Sequence, residues 1–245
     1  MSASDTSPPF GTIVGLFTGK VAHPWPGKPP SAIAKRSVDG PQHIDANGFV
    51  DDQQADLTVH GGLEKALHHY PSEHMAFWRN TFPAQANQFA SGCFGENLST
   101  TGITEQDLCI GDILSLGSAR VQVCQGRQPC WKLNTHTGLD QMAARFQTTG
   151  RTGWYYRVLE SGTVKTGDHI ELIDRLSPDW SLSKVISARF DPCLDIAVAA
   201  ELATLHALSA SWRTAFGKKS NRGFTENTDE RLQGASGSRL DRTGG

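Results

Sequence analysis

The 245-residue chain has no long apolar run. Without about 18 consecutive apolar residues, a transmembrane helix is excluded. The start, Met1-Ser2-Ala3-Ser4-Asp5-Thr6-Ser7-Pro8-Pro9, lacks a basic region and an apolar stretch, so no secretory signal is expected there. An excess of one charge is lacking as well. The formal net charge is −2, which gives no global field to recruit nucleic acid or an acidic membrane. Any anionic ligand must then be held by a local basic cluster. Cysteine pairing signals are missing too. The 5 cysteines, Cys93, Cys109, Cys124, Cys130 and Cys193, are odd in number and include no CxxC pair. Reduced thiols in a cytoplasmic protein are expected.

Several catalytic fingerprints are also absent. There is no GxGxxG loop ahead of a helix, no Walker A loop and no GxSxG elbow. Histidines 60, 68, 69 and 74 are close in sequence, but HExxH and finger-type cysteine pairs are lacking, which argues against zinc.

What is present suits a globular enzyme-sized chain: 38% hydrophobic and 20% charged residues, enough to bury a core and carry a small appendage. Residues 1–9 read as a flexible leader. From residue 10 to 176, short apolar runs alternate with turn signals, as in Thr12-Ile13-Val14-Gly15-Leu16-Phe17, Ala119-Arg120-Val121-Gln122-Val123-Cys124 and His169-Ile170-Glu171-Leu172-Ile173. Segment 31–35 reads as a further strand. This predicts a mainly β (α+β) fold, a barrel or sandwich with short helices. Pro71 suits the first turn of a helix through Trp78, and residues 139–146 carry helical spacing. Between 177 and 217 three apolar stripes, Leu182/Val185/Ile186, Leu194/Val198/Leu202/Leu205 and Leu208/Trp212/Phe216, predict a three-helix module. Asp179 or Ser181 would cap its first helix. Residues 218–245 are poor in large apolar side chains and read as a disordered tail.

Four segments can carry chemistry. Gly126-Arg127-Gln128-Pro129-Cys130-Trp131-Lys132 sets a thiol in a proline-stiffened loop between two cations. Nearby positive charge favours thiolate, the form that binds soft metals. A buried structural cysteine beside surface cations fits the same residues. Segment 24–35 is Pro-rich, and its Lys28 and Ser31 suit a phosphate or simply an exposed turn. After His60, Gly61 and Gly62 allow a ligand to approach the backbone closely. Phe94-Gly95-Glu96-Asn97-Leu98-Ser99-Thr100 packs amide and hydroxyl groups that can bond a heterocycle or phosphate.

In this order the segments resemble the MOSC family, named for the C-terminal domain of molybdenum cofactor sulfurases, and within it the YiiM-like bacterial branch. The matching stretches are Gly27-Lys28-Pro29 with residues 31–35, Val59-His60-Gly61-Gly62 with Lys65-Ala66, His69-Tyr70-Pro71, residues 94–100, Gly111-Asp112, and Arg127 with Pro129-Cys130 and Lys132-Leu133. The resemblance spans residues 12–217. One departure is Pro29-Pro30, where relatives often have a single proline before the serine.

The resemblance implies a β-barrel-like core plus the helical appendage, with a molybdenum cofactor (molybdopterin) in a cleft. It implies reduction of N-hydroxylated compounds, such as hydroxylaminopurine, hydroxylamines or amidoximes, to amines. Cys130 takes the place of the catalytic molybdenum ligand. Lys28, Ser31, His60, Asn97, Ser99, Thr100 and Arg127 take cofactor-binding places. With no flavin or nicotinamide fingerprint in the chain, electrons would come from a separate reductase, a flavoprotein. Neither nucleic acid nor a membrane is an expected partner, and a homodimer is compatible with the pattern. Two other readings stay open: a sulfur carrier with a Cys130 persulfide, and a non-catalytic cofactor-binding module.

Overall fold

The computed structural model describes residues 10–56, 61–222 and 224–234. Seven strands close into a barrel: β1 (Gly11–Thr18), β5 (Leu67–Pro71), β6 (Leu98–Thr101), β7 (Ile113–Leu116), β8 (Ala119–Gly126), β9 (Trp154–Glu160) and β11 (His169–Asp174). Their order is β11-β7-β8-β9-β5-β6-β1, and β1 pairs with β11 to shut the ring. A short β2 (Arg36–Ser37) extends β1. Only the β5–β6 pair of the barrel runs parallel. A small second sheet joins β10 (Gly162–Val164), β3 (Gln42–Asp45) and β4 (Gly48–Phe49).

Period-two alternation explains the barrel's filling. Ile13, Leu98, Leu114, Leu116, Val121, Val123, Tyr156 and Ile170 share one buried core. A second core is mostly aromatic and lies outside that set. It gathers Tyr70, Trp78, Phe89, Phe94, Leu133, Met142 and Phe146. Trp78 and Phe146 stack with centroids 5.0 Å apart and planes 12° off parallel. Phe94 meets Phe146 edge-on at 4.7 Å. This core ties α1 (His74–Thr81) to the turn at residue 94 and to α2 (Trp131–Thr137) and α3 (Met142–Thr149).

The appendage forms as expected: α4 (Leu182–Phe190), α5 (Ile196–Thr204) and α6 (Ala210–Lys219). Ser181, not Asp179, caps α4 by accepting from the Lys184 amide. Leu182, Val185, Ile186, Leu202, Leu208, Trp212 and Phe216 join the barrel's core. The appendage and barrel therefore share one hydrophobic interior.

Three expectations change. Pro71 ends β5 instead of opening a helix, because it pairs with Thr100 and the Ser72 amide continues the ladder to the Thr100 carbonyl. Segment 31–35 is not a strand. Pro29 and Pro30 offer no amide hydrogens, and only a single bridge, Ser31 to Ala22, forms there. The chain beyond 218 is ordered in part. Residues 224–234 include α7 (Asp229–Gln233), which contacts α2. Few apolar residues are needed there, since Leu232 reaches the aromatic core, and the Arg189–Glu226 ion pair and the Arg231 hydrogen bonds supply further attachment.

Candidate functional site

Cys130 lies where β8 hands over to α2. It is the N-cap residue of α2, in an extended conformation. The loop leading to it is fixed from both sides. The Arg127 amide donates to the Gly153 carbonyl at 3.0 Å, and its guanidinium donates to the Phe94 carbonyl at 2.7 Å. The cation is thus buried against the turn of residues 92–97.

That turn is itself held by a buried acid. Glu96 accepts from the amides of Gly92 and Phe94, and burial raises its carboxyl above the usual range. Gly95 has φ +76°, and a Cβ there would stand 2.7 Å from Ile33 Cγ1 and 2.8 Å from the Ile33 carbonyl oxygen. Only glycine lets this turn close onto the Pro-rich segment.

Two cavities meet at Cys130. The inner one, about 90 Å³, is lined by Ser31, Lys35, Asp52, Lys65, His68, Asn97, Arg127 and Lys132 among others. It is roomy enough for several waters or one compact anionic group. Asp52 is the single carboxylate among its described lining residues, against Lys35, Lys65, Arg127 and Lys132. Asp52 is already committed. It accepts from Lys35 Nζ at 2.5 Å, from the Gly19 amide at 2.6 Å and from Asn97 Nδ2 at 2.8 Å. Desolvation outweighs that ion pair and leaves the Lys35 ammonium less basic than usual. Lys132 Nζ donates to the Pro30 carbonyl at 3.2 Å, which pins the Pro-rich segment across the cavity.

His68 is the uncommitted polar group. Its Nε2 lies 3.5 Å from the Thr152 carbonyl, while the buried Nδ1 has no hydrogen-bond partner. Burial, with Arg127 nearby, pushes its pKa well below the usual histidine range, so the ring is neutral. The Thr152 contact assigns the proton to Nε2 and leaves Nδ1 as an acceptor. A buried, unsatisfied acceptor in a cavity wall is costly unless an occupant pairs with it.

The outer cavity, about 530 Å³, is lined by Lys65, Gln125, Gln128, Cys130, Trp131, Tyr155, Ser211, Asn227, Glu230 and Arg231. Its size falls within the range of small-molecule sites. Lys65, Cys130 and Tyr155 line both cavities. At its edge, Trp131 meets Trp25 edge-to-face at 5.9 Å, and the Lys28 ammonium lies 4.9 Å from the Trp131 ring centre.

The structure gathers Cys130, Ser31, Asn97 and Arg127 around the inner cavity. Lys28 instead donates to Thr135 Oγ1 at 3.1 Å, on the rim. Ser99 and Thr100 are turned away. The Ser99 hydroxyl donates to Ser91 at 2.8 Å, and Thr100 Oγ1 lies 2.6 Å from His69 Nε2. His60 falls outside the described residues. Sequence reasoning missed Lys35, Asp52, Lys65, His68 and Tyr155 as site residues. The one available signal was strand parity: His68 and Tyr155 are partners across β5 and β9.

The Cys130 thiol thus lies beside a cation-lined pocket. The MOSC domain family matches residues 56–171, and the YiiM-like, 3-alpha helix domain matches residues 180–219. Protein YiiM of Escherichia coli (strain K12) is 39% identical over 221 residues, covering 90% of this chain and 98% of that protein. The chain belongs to the MOSC family. The crystal structure of YiiM from Escherichia coli superposes on this MOSC protein with a TM-score of 0.78, at 34% identity, covering 92% of this chain and 100% of that one. A protein of Gibberella moniliformis (strain M3125 / FGSC 7600) named "Reductase" is 40% identical over 188 residues, 75% of this chain but 33% of that protein. The MOSC match includes Cys130, Arg127 and Asn97, and the helical match covers α4 to α6.

Proposed function

We propose that this MOSC protein is a molybdenum-cofactor-dependent reductase that converts N-hydroxylated compounds to amines, with Cys130 as the metal ligand. The observation that carries the reading is the position of Cys130 between a small cation-lined cavity and a larger, mixed-polarity one. Family membership and the relative named "Reductase" support it.

The residues present fit the group. A pterin phosphate is a hard anion, and Arg127, Lys132 and Lys35 would hold it, with the Ser31 hydroxyl. His68 Nδ1, an acceptor without a partner, would take a proton donor of the pterin ring. Cys130 offers a soft thiolate sulfur as the protein ligand to molybdenum. When bound, the cofactor supplies the electrons. The overall change, R–NH–OH + 2 e⁻ + 2 H⁺ → R–NH₂ + H₂O, cleaves one N–O bond and needs two protons.

The chain's own contributions are binding and exclusion. The Arg127–Phe94 bond and the Lys132–Pro30 bond clamp the inner cavity from opposite sides. Tyr155 is held as a neutral phenol, its pKa raised by burial, so it can orient a substrate by hydrogen bond without adding charge. Electrons would enter from a separate reductase, by this reading a flavoprotein.

Metal analysis of wild type and Cys130→Ala, both from a molybdenum-replete host, tests the proposal. Wild type should carry molybdenum and the variant should lose it. Equal molybdenum in both rejects Cys130 as ligand. A labile extra sulfur on Cys130 without molybdenum would replace the reading by sulfur transfer.

A further inference from the structure

The outer cavity is not made by the barrel alone. Asn227, Glu230 and Arg231 line it, and all three lie beyond residue 219, where the helical-module match ends. Residues 224–234 cross from the appendage to the Cys130 loop, and each end is anchored. At one end Glu226 forms a paired contact with Arg189 of α4, at 2.5 and 2.8 Å. The Arg189 side chain is only 4% exposed. Against a burial penalty that would raise it, the Arg189 hydrogen bond and charge hold the Glu226 carboxyl below its usual range.

At the other end Arg231 donates to the carbonyl of Pro129, the residue before Cys130, at 2.6 Å. It also donates to Gln147 Oε1 of α3 at 2.7 Å. Asn134 of α2 donates to the Leu232 carbonyl at 2.9 Å. Gly234 then lies against Trp131, so closely that a Cβ would stand 3.4 Å from the indole. The segment thus spans the cavity mouth on charge-assisted bonds, with Leu232 as its apolar anchor on the aromatic core.

We propose that residues 224–234 are a size-selective wall of the Cys130 cavity, fixed by Arg231 at the Pro129 carbonyl and by Glu226 at Arg189. It admits a compact head to Cys130 and turns away bulky ones. Applied to substrates, this rests on the reductase reading above. It assigns the enzyme small N-hydroxylated molecules, or larger ones whose N–O group sits on a slim arm. Arg231 is a positioning residue here, acting through the loop that carries Cys130.

The test uses the full-length protein prepared without cofactor, so that it does not depend on molybdenum. Cys130 alkylation is followed by peptide mass spectrometry with iodoacetamide and with a bulky aryl maleimide. In Arg231→Ala the maleimide should react faster at Cys130 by at least about tenfold, the factor that even one of its two lost charge-assisted hydrogen bonds gives. Iodoacetamide should change by less than about twofold, since the wall does not hinder it. Glu226→Gln, which releases the opposite end, should reproduce the selectivity loss if Arg231→Ala folds poorly. An unchanged reagent ratio in both variants overturns the wall. An equal gain for both reagents also overturns it, because that indicates general loosening. Either result leaves the molybdenum reading standing. Conversely, cysteine-independent molybdenum would sink that reading without touching the alkylation result.

Discussion

The inner and outer cavities share Cys130, yet they are built by opposite means. The inner one is walled by groups that cannot move without unfolding something. Lys35, Arg127 and Lys132 are largely buried, its turn is closed by Gly95, and Ile33 ties its wall to the aromatic core. The outer one is closed on one side by a short segment held largely by one ion pair and by hydrogen bonds to backbone carbonyls. Rigidity on one side suits a resident group that must not leave. A lightly held wall on the other suits a visitor that must come and go.

Damage to the inner side should therefore be global, and damage to the outer side local. The largest expected effect is from Phe146→Ala. It removes the ring that contacts Tyr70, Trp78 and Phe94, and should cost about 3–5 kcal/mol in urea unfolding. A loss under about 1 kcal/mol would mean the aromatic cluster is not part of the cooperative core. Asp52→Ala comes next. Lys35 would be left buried and unpaired, a change that costs about 3 kcal/mol or somewhat more. Gly95→Ala should cost about 1–3 kcal/mol, because the φ of +76° and the Ile33 contacts both penalise a Cβ. For a chain of this size that lowers Tm by about 2–4 °C per kcal/mol. An unshifted Tm would show that the turn and the Pro-rich segment can part freely.

Acid should weaken the barrel gradually. Burial pushes the His69 pKa down to about 3. The unfolded chain therefore takes a proton below about pH 6.5 that the native ring refuses. Stability falls as pH drops from about 6.5 toward 3, by about 1.4 kcal/mol per unit for this one group. A flat stability profile over that range would contradict the buried, neutral ring. The smallest effect is expected on the outer side. Glu226 has a lowered pKa, so its bond to Arg189 is fully present above the usual glutamate range and is lost only as pH falls below that range. Hydrogen exchange of residues 224–234 should rise there before the barrel's does.

Much of this architecture is legible in the sequence, and the illegible parts share one cause. Alternation marks the strands, and helical stripes with Ser181 as cap mark the appendage, because both patterns are local. Cys130 stands out from the other thiols for the same reason: Arg127, Pro129 and Lys132 are its neighbours in the chain. Ser99 and Thr100 mislead because their segment is dense in hydroxyls, while their partners, Ser91 and His69, are set by strand pairing and turn closure. Asp52 lies in a polar stretch with no motif, and its bond to Asn97 spans 45 positions. Lys65 and Tyr155 become neighbours of Cys130 only when the barrel closes. The 224–234 segment escapes notice because an ion pair and arginine hydrogen bonds hold much of it, and a charged residue's partner cannot be read from composition.

The Trp25–Trp131 pair gives the molecule a readout of its own. Two indoles 5.9 Å apart and 60° out of plane couple their electronic transitions and give a signed near-ultraviolet circular dichroism. Trp131 also lines the outer cavity and lies next to Gly234. Undocking of the C-terminal segment, or arrival of a guest beside Cys130, therefore changes that band's shape. The protein reports the state of its entrance without any added label.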